Sequence, residues 1–135
     1  MPEKRTLKRA RADLRTGKSP STAAGEFVRE EMEHIRRGKH GARSPEQAIA
    51  IGLSKARRAG VPLKPPRKGQ TKKSTRRSAE RDYATGQGKR KPSGPSPKRS
   101  KAMTKRLKRE GRSAASHSAL SRHAKRVARK RRGKS

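Results

Sequence analysis

The sequence predicts a mostly α-helical chain with little core. A small helical N-terminal module occupies residues 1–63, and a Lys/Arg-rich C-terminal tail, 64–135, is disordered or conditionally helical. Three observations predict this. Apolar residues recur at helical spacing between Pro or Ser/Thr starts and Gly stops. Leu, Ile, Val and Phe number 6, 3, 3 and 1 in 135 residues, about a tenth of the chain, where highly charged sequences below roughly 20% fail to fold alone. Charge is also lopsided: residues 1–63 hold 15 basic and 7 acidic side chains and 64–135 hold 27 and 3, in a chain of net +32. Burial at roughly 25 cal/mol per Å² by so few large side chains does not offset an ordering cost of about 1–2 kcal/mol per residue. Most of the chain is therefore expected to be mobile without a partner.

The first helix is expected over 3–16, where Leu7, Ala10 and Leu14 share a face before Gly17. The second, over 20–37, starts at Ser19-Pro20, carries Ala24, Phe27, Val28, Glu31 and Ile35 at helical spacing, and stops at Gly38. The third, over 45–59, has a competing strand reading because Ile49, Ile51 and Leu53 alternate. Ser44, Pro45 and Gln47 resemble a capping box, however, and favour the helix. Beyond Pro62, the Lys64-Pro65-Pro66-Arg67-Lys68-Gly69 stretch breaks any helix, and Pro92-Ser93-Gly94-Pro95-Ser96-Pro97 is a second extended linker. Between and after these linkers, conditional helices are expected near 72–85, 97–110 and 113–132, with stops at Gly86 and Gly111 and a cap at Ser113. Like charges at i,i+4 in the last segment repel, and a polyanion would relieve that repulsion.

The inventory of reactive groups argues against an enzyme. There is no Cys, so thiol chemistry, disulfides and thiolate metal sites are excluded. No Gly-rich phosphate loop or Ser-centred nucleophile elbow occurs, and Thr85-Gly86-Gln87-Gly88-Lys89-Arg90 reads as a basic turn. Glu30 and His34 fall on one helical face, but no third metal ligand is apparent, and His117 and His123 do not converge. No metal, cofactor or small-molecule substrate is expected. Glu26, Glu30 and Glu33 form an acidic face beside Glu31, read as a solvated surface paired locally with Arg29, Arg36 and Arg37. Its alternative is a docking face for a basic segment. The longest apolar run, Ala48 to Leu53, is too short to span a bilayer, and no apolar leader follows Met1. With no Trp and one Phe, membrane binding is disfavoured as well, so a soluble, cytoplasmic protein is expected.

The strong signal is cationic. Lys72, Lys73, Arg76, Arg77, Lys89, Arg90, Lys91, Lys98, Arg99, Lys105, Arg106, Lys108, Arg109, Lys125, Arg126, Arg129, Lys130, Arg131 and Arg132 are distributed along the whole tail. Duplex DNA carries one charge per about 1.7 Å of axis, so a net +24 matches roughly 40 Å, or about 12 base pairs. With Phe27 and Tyr83 as the only aromatics, stacking on single strands is disfavoured and duplex phosphates are preferred.

Ser96-Pro97-Lys98-Arg99 resembles the Ser-Pro-basic-basic motif of linker-histone tails, which places two cations in a narrow minor groove. A longer stretch is Gly38-Lys39-His40-Gly41, Ser44, then Gln47-Ala48-Ile49-Ala50-Ile51-Gly52-Leu53-Ser54-Lys55-Ala56-Arg57-Arg58-Ala59-Gly60. It resembles a family of small basic bacterial proteins, largely uncharacterised and often labelled DNA-binding. That resemblance implies a bacterial source and nucleic-acid association, and transfers no catalytic or binding residue. Should the motif itself bind, Lys39, His40, Arg43, Lys55, Arg57 and Arg58 are its phosphate contacts, with Ile49 and Leu53 holding its helix against Phe27, Val28 and Ile35. The expected function is non-sequence-specific binding of double-stranded DNA by phosphate neutralisation, as in a histone-like, nucleoid-associated protein. The alternative is an RNA-binding or ribosome-associated assembly protein.

Overall fold

The structure, a computed structural model, describes residues 3–91 and 97–133. Its described residues form six α-helices: α1 (Lys4–Arg15), α2 (Pro20–Arg36), α3 (Pro45–Arg58), α4 (Lys73–Gly86), α5 (Pro97–Arg109) and α6 (His117–Gly133). A single 3₁₀ turn, Ser113–Ala115, precedes α6, and an isolated bridge joins Lys68 and Thr71. The mostly α expectation holds, and the strand reading of Ile49, Ile51 and Leu53 fails because all three lie within α3. The tail is helical over α4, α5 and α6 rather than disordered. The linker Pro92 to Ser96 lies outside the described residues.

Helix boundaries follow the local chemistry. Ser19 Oγ accepts from Thr22 N–H at 3.3 Å, and Ser44 Oγ from Gln47 N–H at 3.2 Å, each capping a helix that starts with proline. Gln47 Oε1 reaches back to the N–H of Arg43 at 2.7 Å, one residue earlier than a capping box requires. At the other end of α3, Gly60 has φ +104°, with Gly60 N–H donating to Arg57 O and Val61 N–H to Ala56 O, both at 3.1 Å. This Schellman closure needs the left-handed conformation that glycine adopts without a Cβ penalty. Two expected boundaries move. Gly86 is still helical and α4 closes at Gly88, while Ser113 opens the 3₁₀ turn and Ser116 Oγ caps α6 by accepting from Ala119 N–H at 3.1 Å.

Two compact units emerge, each drawn from two stretches of sequence: Met1–Glu30 with Ile51–Gly94, and Glu31–Ala50 with Pro95–Ser135. Each unit therefore takes residues from both sides of residue 63. In the first, Phe27 is fully buried among Ala10, Ala23, Ala24, Ala56 and Val61, with Leu7, Leu14, Leu53 and Leu63 packed around them. Small residues set the helix spacing here. A Cβ on Gly52 would stand 2.7 Å from Val28 Cα, so α2 and α3 approach backbone to backbone. A Cβ on Gly86 would likewise collide with the Arg57 carbonyl oxygen, which seats the end of α4 against the end of α3.

The second unit buries Met32, Ile35, Ala42, Ala48, Ala114, Ala115 and Ala119. It is joined by backbone and guanidinium hydrogen bonds more than by large side chains. Gly41 N–H donates to Leu107 O at 2.7 Å and Ala42 N–H to Gly111 O at 3.1 Å. Arg36 Nε donates to Ala115 O at 3.0 Å, and Arg112 Nη1 to Arg36 O at 3.4 Å. These bonds, and alanines too small to register as core in sequence, are why the tail is ordered around Ala114 to Ala119. By contrast, α5 buries no residue.

Candidate nucleic-acid interface

Of the tail cations singled out in sequence, Lys72, Lys73, Arg77, Lys89, Arg90, Lys91, Lys98, Arg99, Lys105, Arg106, Lys108, Arg109, Lys125, Arg126, Arg129, Lys130, Arg131 and Arg132 are exposed. Arg76 is half-buried and lies 3.6 Å from Glu80 one turn on. Helix geometry gathers six of the exposed cations, with Lys101 and Arg122, into two faces. At about 100° per residue, Lys98, Lys101, Lys105 and Lys108 fall within about 80° on α5. Ser100 and Thr104 join Lys101, Lys105 and Lys108 around an open depression of about 300 Å³. On α6, Arg122, Lys125, Arg129 and Arg132 likewise fall within about 80°, while Ala119 is buried and Leu120, His123 and Val127 on the other side are half-buried. Pro97, Lys98 and Arg99 form the first turn of α5, so the histone-like motif continues as a helix; its Ser96 lies outside the described residues.

The cations of the longer motif divide. Lys39, Arg43 and Arg58 are exposed and Lys55 is half-buried, but Arg57 is only 8% exposed. Its Nε donates to Leu63 O at 3.1 Å and its Nη2 to Lys64 O at 3.3 Å. Burial therefore lowers the pKa of this guanidinium, partly opposed by the charge of Asp82. Arg57 is a structural clasp on the chain leaving α3 and is withdrawn from the phosphate-contacting set. Its neighbour Arg58 lies 3.8 Å from Asp82, whose other oxygen accepts from Ser54 Oγ at 2.7 Å. His40 is also withdrawn, because its ring is turned inward to Glu31 at 3.1 Å.

The acidic face is corrected too. Glu30 and Glu31 are buried, at 4% and 0% exposure, and are not part of a solvated surface. Glu30 Oε1 accepts from Glu3 N–H at 2.6 Å and Thr6 Oγ1 at 3.1 Å, which ties the start of α1 to α2. Buried carboxylates persist where hydrogen bonds replace water. Arg36, expected to pair along this face, donates instead to Ala115 O.

Two features were overlooked in the sequence. Lys4, Lys8, Arg11 and Arg15 fall within about 60° on α1 and border one groove with Leu7 and Leu14. Their i, i+4, i+7, i+11 spacing is legible in the sequence but is overshadowed by the denser charge of the tail. In the second unit, Glu46 is held 3.0 Å from His123 Nδ1 and 3.1 Å from Arg126. Its carboxyl is kept below the usual range first by a backbone N–H at the start of α3, then by the His123 hydrogen bond and the Arg126 charge. Arg126 is therefore partly committed within the fold. Among the described residues, no helix is long and apolar enough to cross a membrane. The chain matches no protein-family model, no curated protein and no solved structure.

Proposed function

We propose that this protein binds double-stranded DNA without reading its sequence, neutralising phosphates with the outward faces of α5, α6 and the segment from Lys89 to Lys91, as a histone-like, nucleoid-associated protein does. The observation that carries the reading is α5: a basic helix with no buried residue and a lysine face exposed over its whole length. Thirteen residues span about 20 Å, along which duplex DNA presents roughly 12 charges. Nothing in the fold requires that density of cations on an element that buries nothing.

Lys98 and Arg99 sit at the N-terminus of α5, where the helix dipole disfavours positive charge, and no acidic residue occupies the first turn. Like-charge pairs such as Lys101 with Lys105 each cost about 0.2–0.5 kcal/mol. A polyanion removes both penalties, so α5 and the last turns of α6 are conditionally helical elements that tighten on binding. Resemblance of the Gly38 to Gly60 stretch to small basic bacterial proteins labelled DNA-binding supports the same reading.

The test is fluorescence anisotropy of the full chain with duplex DNA of unrelated sequences and with hairpin RNA across a salt series. Log affinity for duplex should fall linearly with log salt, by about 0.9 per phosphate neutralised, with little change between sequences. A shallow slope overturns the proposal. Clear preference for the hairpin moves the protein to the RNA-binding, ribosome-associated class.

A further inference from the structure

We propose that Glu31, His34 and His40 form a binding site for a divalent transition-metal ion of the zinc class, a property separate from the nucleic-acid reading above. One donor atom from each residue lies within 4.8 Å of the other two. The site is local to ten residues. Glu31 and His34 stand at i,i+3 on α2 and so share a face. Closure of α2, with Lys39 N–H donating to His34 O at 2.9 Å, then turns the chain back and delivers His40.

Glu31 is fully buried, and the His34 and His40 side chains are 12% and 18% exposed. Glu31 Oε2 lies 3.1 Å from His40 Nε2, and Oε1 lies 3.9 Å from His34 Nδ1. Zinc bonded at about 2.0–2.2 Å in tetrahedral geometry holds its ligands about 3.3 Å apart. The two separations bracket that value, and the donor atoms all lie within 4.8 Å of one another, so side-chain shifts of up to about 1.5 Å bring them to ligand spacing.

The orientation of His40 gives the second argument. Its Nδ1 lies 2.9 Å from the carbonyl oxygen of Gly41 and its Nε2 3.1 Å from Glu31 Oε2, so one ring nitrogen faces the backbone and the other faces the cluster. An imidazole whose second nitrogen donates to a backbone carbonyl is the arrangement that orients metal-bound histidine. Two nitrogens and one carboxylate suit zinc and its neighbours in the first transition row, whereas magnesium and calcium take oxygen shells. The fourth position falls to water. The bound ion would fix the loop that presents the Gly41 and Ala42 amides to Leu107 and Gly111.

The full chain, freed of nucleic acid and metal, is titrated with Co²⁺ as a visible probe. One equivalent should give an intense ligand-field band, displaced by Zn²⁺, absent in Glu31→Gln and His40→Gln and retained in a His117→Ala/His123→Ala double variant. In the unmodified protein, which needs no variant to fold, nitrogen-detected NMR of the imidazole rings should show Zn²⁺ shifting His34 and His40 and sparing His117 and His123. No band, or ring shifts confined to His117 and His123, overturns the site and leaves a proton as the bridge between Glu31 and His40.

Discussion

Replacing Lys98, Lys101, Lys105 and Lys108 with glutamine removes the charge from one face of α5 and leaves the fold alone. All four side chains are exposed, α5 buries nothing, and glutamine is nearly as good a helix former as lysine. With each contact carrying about 0.9 in the slope of log affinity against log salt, the loss of four lowers the slope by about 3.6. Between 50 and 200 mM salt, a fourfold change, four such contacts account for about a 150-fold change in affinity. The variant should therefore bind duplex DNA more weakly at low salt and lose much less on going to high salt. Anisotropy titrations at four or five salt concentrations read the slope directly, and far-UV circular dichroism verifies the helices. A slope unchanged within error, with weaker binding at every salt concentration, would refute the assignment of this face to phosphates.

Arg57→Gln should leave the salt slope unchanged yet cost about 1–3 kcal/mol in urea unfolding, because the Leu63 and Lys64 carbonyls lose a charged donor. A matched glycine pair tests the α2–α3 approach. Gly25→Ala, with nothing within 4 Å of the added Cβ, should stabilise by about 0.5–1 kcal/mol, whereas Gly52→Ala should destabilise by about 1–2 kcal/mol as Val28 is displaced; equal effects would contradict the close crossing. Phe27→Ala, at the fully buried centre of the first unit, should cost about 3–5 kcal/mol. For Glu46, whose folded carboxyl lies below the usual range, the stabilising contribution is fully present above the unfolded value and disappears as pH falls through the folded one. Thermal melts of the Glu46→Gln variant should accordingly show a smaller loss of stability on acidification than the unmodified chain.

Much of the helix layout was legible because it rests on local signals. Ser19-Pro20 and Ser44-Pro45 start helices, Gly17, Gly38 and Gly60 end them, and Leu7, Leu14, Phe27 and Ile35 mark inward faces. Tertiary burial was not legible, since it depends on residues whose type points the other way. Alanines at 114, 115 and 119 are buried by close approach, yet a count of large aliphatic residues ignores them. Arg57, Glu30 and Glu31 are buried because backbone groups or histidines meet them, which no periodicity announces. The cluster of Glu31, His34 and His40 is half visible in the sequence: Glu30 shares a helical face with His34 at i,i+4, but the carboxylate that meets both histidines is Glu31, and His40 arrives only after the chain turns at Gly38.

Burial of Arg57, whose guanidinium clasps backbone carbonyls, divides the positive charge of this protein into two populations with different responses to ionic strength. Added salt screens the exposed cations from one another, while the hydrogen bonds of the buried Arg57 guanidinium to carbonyl oxygens are largely indifferent to it. In the proposed reading, salt that dissociates nucleic acid also relieves the self-repulsion of a +32 chain and leaves the Arg57 clasp in place.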